Sequence, residues 1–236
     1  MTHLAPRDRL FVALDAPSVD DARRLVERLG DTVNCYKIGL ELLFGGGLEF
    51  AQGLKAAGRT VFLDVKLLDI GNTVEHATAN VSRLGLDFLT VHGVDRKTMD
   101  AVVRGRGSSR LKLLAVTVLT SLDRADLAQQ GIKDMDPAAL VVHRARLAKE
   151  AGFDGVIASG QEAPRVRDAV GQDFLIVTPG IRPSGDAVGD QARVTTPGSA
   201  IAAGATHLVV GRPITQAADP KAAAERIIAE IASVKA

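Results

Sequence analysis

The stretch VFLDVKLLDIGNT, residues 61 to 73, sets three charged side chains, Asp64, Lys66 and Asp69, into a run of residues suited to the inside of a sheet. Burying unpaired charge is costly, so charges kept in such a run are expected to have partners and a use. Side chains two apart on a strand share a face, which places the Asp64 carboxylate and the Lys66 ammonium together. Asp69 falls past the strand, in the turn, and must reach the site by a bend or serve a neighbouring subunit. An array of this kind suits proton transfer and the stabilisation of developing charge. For Asp64 and Lys66 the alternative is a buried ion pair that only fixes packing. Other chemistries lack their residues: there is no Cys/His cluster with zinc spacing, no HExxH, no Walker A loop and no GxSxG elbow.

The elements that must hold these groups are visible as eight short apolar runs: LFVAL from Leu10, VNCYKIG from Val33, TVFLDVK from Thr60, DFLTVHG from Asp87, KLLAVTVLT from Lys112, GVIAS from Gly155, FLIVTPG from Phe174 and HLVVG from His207. Helix-like segments lie between them. SVDDARRLVERLG opens with Ser18 as N-cap and stops at Gly30, DPAALVVHRARLAKEAG carries Pro137 at its first helical position, and a last helix begins near Pro220 with Ala223, Ile227, Ile228 and Ile231 on one face. Near-continuous hydrophobic strands alternating with helices predict an α/β fold, a (β/α)₈ barrel spanning 1–236 as a single domain. A doubly wound open sheet is disfavoured, because the first strand-to-helix turn, LDAPS, has none of the glycines of the dinucleotide fingerprint.

Barrel chemistry sits at the C-terminal ends of strands. Asp15 ends the first run, Lys37 the second, Asp64 and Lys66 the third, His92 the fourth, Thr120 the fifth, Ser159 the sixth, Pro179 and Gly180 the seventh, and Gly211 with Arg212 the eighth. Four ionisable groups, Asp15, Lys37, Asp64 and Lys66, are thus aimed at one mouth, where His92 reads as a satisfied histidine in preference to a base. Gly211 and Arg212, in VVGRPIT, suit a phosphate through backbone N–H groups and a planar guanidinium. The connection from Ile181 to Ser199 is too long for a minimal turn and predicts a lid, with Arg182 and Gln191 as its ligand contacts.

Composition excludes several partners. With 46% hydrophobic and 24% charged residues and a net charge of +1 over 236 residues, the chain has no basic stripe for nucleic acid. Aromatics at 3% and the absence of Trp leave no base-stacking platform. No window approaches the roughly 20 apolar residues of a membrane span, and MTHLAPRDRLFVALDA lacks the features of a secretory signal. Cys35 is the only cysteine, so a reducing compartment, the cytoplasm, is expected.

LDVKLLDIGNT matches the D-x-K-x-x-D-I pattern of the orotidine 5′-monophosphate decarboxylase family. VALD at Asp15, YKIG at Lys37, VTVLTS at Thr120, TPGIRP through Arg182, GDQARVTTP at Gln191 and VVGRPIT at Arg212 resemble that family's other blocks, in order and over nearly the whole chain. The resemblance implies a cofactor-free, metal-free (β/α)₈ homodimer that converts orotidine 5′-monophosphate to UMP and CO₂. By the same resemblance Lys66 donates a proton to C6, Asp64 stands beside the departing CO₂, Lys37 holds the charged array and the ribose, and Asp15 binds a ribose hydroxyl. Thr120 and Gln191 would contact the pyrimidine, Arg182, Gly211 and Arg212 the phosphate end, and Pro179 would be a further substrate-binding residue. Ile70 belongs to the third-strand block, from which Asp69 and Thr73 would reach across the dimer into the partner's site. One departure is visible: VHGVDRKTM carries Val94 and Asp95 where many members have a small residue and then a glycine pair, so the fourth loop is expected to differ in shape.

Two other readings compete with it. A metal-assisted keto-sugar-phosphate decarboxylase or aldolase would share the D-x-K-x-x-D motif and use the third-strand aspartates to hold Mg²⁺. Thr120, TPGIRP and Gln191 favour a pyrimidine instead. A non-catalytic nucleotide-binding or scaffold protein would have no need of Lys66 with both aspartates.

Overall fold

The computed structural model describes residues 4–183 and 194–234. Eight parallel strands, β1 (Leu10–Ala13), β2 (Cys35–Ile38), β3 (Thr60–Leu67), β4 (Phe88–His92), β5 (Lys112–Val116), β6 (Gly155–Ile157), β7 (Leu175–Thr178) and β8 (His207–Val210), run in sequence order around a closed barrel. Closure is direct, since β1 pairs with both β2 and β8. At that seam Arg9 donates to the carbonyls of Ala205 and Thr206, tying the residues that lead into β1 to those that lead into β8.

The period of two along each strand divides the core. Outward residues such as Val12, Tyr36, Leu63, Leu89, Ile176 and Leu208 pack under the helices, while Phe11, Phe62, Phe88, Leu114, Val177 and Val209 fill the barrel. Near the N-terminal ends the rings of Phe11 and Phe62 meet edge to face at 5.3 Å, and those of Phe11 and Phe88 at 5.1 Å. The His207 imidazole packs 5.6 Å from Phe11 and completes this floor. Burial, helped by the Lys112 and Arg9 cations, lowers its pKa to about 3, so it is neutral. The floor leaves the opposite end of the barrel as the place for a site.

Helix punctuation follows the expected plan. Ser18 accepts from the Asp21 N–H and Gly30, at φ 55°, closes the Val19–Leu29 helix. Asp136 caps Pro137–Ala151 and Asp219 caps Pro220–Ser233, whose Ala223, Ile227 and Ile231 are buried. The Gly71–Arg83 and Arg96–Arg106 helices pack closely, because a β-carbon at Gly105 would collide with the Glu75 carbonyl. Among the described residues no helix is long and apolar enough to cross a membrane.

Three local expectations are corrected. The run KLLAVTVLT is strand only as far as Val116: the Thr117 carbonyl accepts from the Arg144 guanidinium and its hydroxyl donates to the Ile157 carbonyl, so the ladder stops there. The connection after Ile181 ends at Thr196, not Ser199, because Thr196 caps a Pro197–Ala202 helix. β3 is not straight: its register against β4 shifts between Leu63 and Leu67, and Lys66 has φ 50°, the one non-glycine residue described with a left-handed backbone.

Candidate active site

Period-two alternation carries the inward stripe of each strand up to the C-terminal mouth, where a cavity of about 680 Å³ opens. Asp15, Lys37, Asp64 and Lys66 line it, as do Thr120, Pro179, Arg182, Gly211 and Arg212 from later strand ends. A volume of that size fits a small ligand such as a nucleotide.

Four charges alternate in sign along one wall. Lys37 Nζ lies 3.0 Å from Asp15 Oδ1 and 3.4 Å from Asp64 Oδ2, and Lys66 Nζ lies 2.9 Å from Asp64 Oδ1. The side chains of Lys37 and Asp64 are 8% and 14% exposed, whereas that of Lys66 is 32% exposed. Lys66 is therefore the cation at the inner end of the chain that is open to a ligand. Burial alone would raise the Asp64 pKa, but the charges of Lys37 and Lys66 and hydrogen bonds from Lys66 and Thr90 together hold it below the ordinary carboxylate range. Asp64 is ionised, with both oxygens engaged by cations.

Alternation puts Asp64 and Lys66 on the same inward face, as expected, but the backbone that carries Lys66 there is not regular strand. The lysine reaches the mouth through the β3 bulge, and its backbone N–H donates to the Thr90 hydroxyl at 3.0 Å. A left-handed backbone at a residue with a β-carbon costs about 1–2 kcal/mol, and such strain concentrates where geometry serves a site. The same hydroxyl donates to Asp64 Oδ1 at 2.8 Å. Sequence reasoning passed over Thr90, although its place two residues before His92 put it on the inward face. It also passed over Gly39, where a β-carbon would stand 2.7 Å from Asp15 Oδ1 and 2.9 Å from Lys37 Nζ. His92 is half-buried and does not line the cavity; burial first, then the Lys66 and Arg144 cations, lower its pKa.

Other expected residues fall elsewhere. Asp69, Ile70 and Thr73 are exposed and do not line the cavity of their own chain. Asp69 accepts from the Ile70 N–H, and Thr73 opens the Gly71–Arg83 helix. Gln191 lies outside the described residues. The stem of its loop is fixed by pairing of Ile181 with Thr195, the Arg182 N–H donating to the Thr195 carbonyl. The departure at Asp95 has a local cause, since its carboxylate caps the Arg96–Arg106 helix by accepting from the Thr98 N–H at 2.8 Å. Among the described residues no three His, Cys, Asp or Glu side chains are grouped to hold a metal ion.

Comparison with known proteins adds a consistent set of relatives. The sequence pattern described as the orotidine 5′-phosphate decarboxylase/HUMPS family matches residues 8–227. The chain is 56% identical over 225 residues to an orotidine 5′-phosphate decarboxylase of Rhodopseudomonas palustris (strain BisA53), with 95% of each chain covered. It is 57% identical over 226 residues to the one of Methylorubrum extorquens (strain PA1), with 96% of each covered. A crystal structure of orotidine 5′-phosphate decarboxylase from Lactobacillus acidophilus superposes with a TM-score of 0.83 at 37% identity, covering 94% of this chain and 98% of that one.

Proposed function

Because the chain belongs to the orotidine 5′-phosphate decarboxylase/HUMPS family and is a carboxy-lyase that converts orotidine 5′-monophosphate to UMP and CO₂, we propose that Lys66 supplies the proton that replaces CO₂ at C6. The C6–carboxylate bond breaks, CO₂ leaves, and the electron pair stays on C6. That anion has little delocalisation, so fixed positive charge is the main means of stabilising it. The Lys66 ammonium attracts the developing pair, then transfers its proton to C6 and regains one from solvent. The observation that carries this role is the placement of Lys66 at the open inner end of the Asp15–Lys37–Asp64–Lys66 array.

Asp64 holds the ammonium and stands beside the departing carboxylate. Lys37 and Asp15 hold the array and take ribose hydroxyls. Thr120 and Gln191 contact the pyrimidine, Arg182, Gly211 and Arg212 receive the phosphate end, and Pro179 lines the substrate cavity. Phosphate binding is remote from the bond that breaks, and its binding energy contributes to the rate by helping to assemble the charged array around the reacting ring. The chain works as a single catalytic domain in the cytoplasm and pairs with a second copy, into whose site Asp69 and Thr73 project from the block that holds Ile70. Supporting that pairing, Leu68 and Ile70 are 55% and 73% exposed beside the mouth, an apolar surface that suits burial.

Lys66→Ala tests the central role. UMP formation, followed by loss of orotidine monophosphate absorbance, is expected to fall below detection while UMP still binds by calorimetry. Ready turnover by that variant would remove Lys66 as proton donor.

A further inference from the structure

Thr90 sits at 0% exposure in the middle of β4, inward-facing between Phe88 and His92. Valine would fill the same space, so packing does not explain a hydroxyl there; burial without partners would make one costly. Its partners are both parts of the reacting array. It donates to Asp64 Oδ1 at 2.8 Å, the same oxygen that holds Lys66 Nζ at 2.9 Å. It accepts from the Lys66 backbone N–H at 3.0 Å, a donor stranded where the β3–β4 ladder breaks between Leu63 and Leu67. One hydroxyl therefore fixes the lysine at two points, its strained backbone and the carboxylate that grips its ammonium.

We infer that Thr90 is a positioning residue for decarboxylation: without touching the nucleotide, it holds the Lys66 ammonium at the place where C6 gains its proton. This rests on the assignment of Lys66 as proton donor. Thr90 acts only on the geometry of that donor, so its loss falls on the chemical step and leaves ground-state binding alone.

The test compares Thr90→Val, Thr90→Ser and Lys66→Ala by steady-state kinetics and by UMP binding. Losing a hydrogen bond to a charged group predicts that Thr90→Val lowers kcat about 10- to 100-fold, with KM and UMP affinity within about twofold of the unaltered enzyme. Thr90→Ser, which keeps the hydroxyl and loses only the methyl, is expected to stay within about threefold of the unaltered kcat. Melting curves restrict the comparison to temperatures at which both variants are folded. Unchanged kcat in Thr90→Val overturns the inference, as does a Thr90→Ser enzyme as slow as Thr90→Val, which would assign the effect to packing. If Lys66→Ala is inactive while Thr90→Val is fully active, only the role of Thr90 fails. Should Lys66→Ala turn over, the proton-donor assignment itself fails.

Discussion

At the scale of single residues, charge placement decides both chemistry and acid stability. Asp64 stays ionised because two ammonium groups and the Thr90 hydroxyl outweigh its burial. His207 shows the opposite balance, burial without an anion, and its pKa falls to about 3. In the unfolded chain an imidazole titrates near pH 6.5. Between those two values the unfolded state binds more protons than the folded one, so stability falls as pH drops, by at most about 1.4 kcal/mol per pH unit. Melting temperature is expected to decline from pH 6.5 to 4.5 in the unaltered protein and to decline less in His207→Leu. Parallel profiles would mean that His207 takes up its proton in the folded state as readily as in the unfolded one. Asp15, Lys37, Asp64 and Lys66 could be read from the sequence because charge at the end of an apolar run is conspicuous. Thr90 was not legible, since threonine is an ordinary strand former and its use depends on which groups of β3 face it.

At the scale of elements, local signals carried further than long-range ones. Ser18, Gly30, Pro137 and Pro220 mark helix ends through contacts within a turn, and those ends are where the sequence put them. The stop of β5 at Val116 was hidden because it depends on Arg144, far along the chain in the Pro137–Ala151 helix. The β3 bulge was hidden for the same reason, being set by pairing with β4. Asp95 gives a test confined to one element. Thr98 donates to it through both its backbone N–H and its hydroxyl, at 2.8 Å each. Asp95→Ala is expected to cost about 1 kcal/mol of stability, lowering the melting temperature by about 2–4 °C. Catalytic efficiency should not change; a fall in kcat/KM with an unaltered melting temperature would place Asp95 at the site instead of the helix.

At the scale of the whole molecule, the proposed composite site makes activity a property of pairs. Within one chain Asp69 is exposed and does not line the cavity. If each site needs Lys66 from one copy and Asp69 from the other, Lys66→Ala and Asp69→Ala chains are both inactive alone. Refolded together in equal amounts, they should recover about a quarter of the unaltered activity, because half the dimers are mixed and each has one intact site. No recovery on mixing would assign Asp69 to its own chain. The barrel as a closed ring was legible from the count and spacing of apolar runs, whereas the strand-to-strand register was not, because it is set by pairing across the sheet. Closure also bears on how the protein is made. Translation delivers β1 early and β8 last, so a nascent chain presents two unpaired strand edges until His207–Val210 emerges and zips against Leu10–Val12. Until β8 pairs with β1, the sheet keeps two open edges that need shielding from other chains.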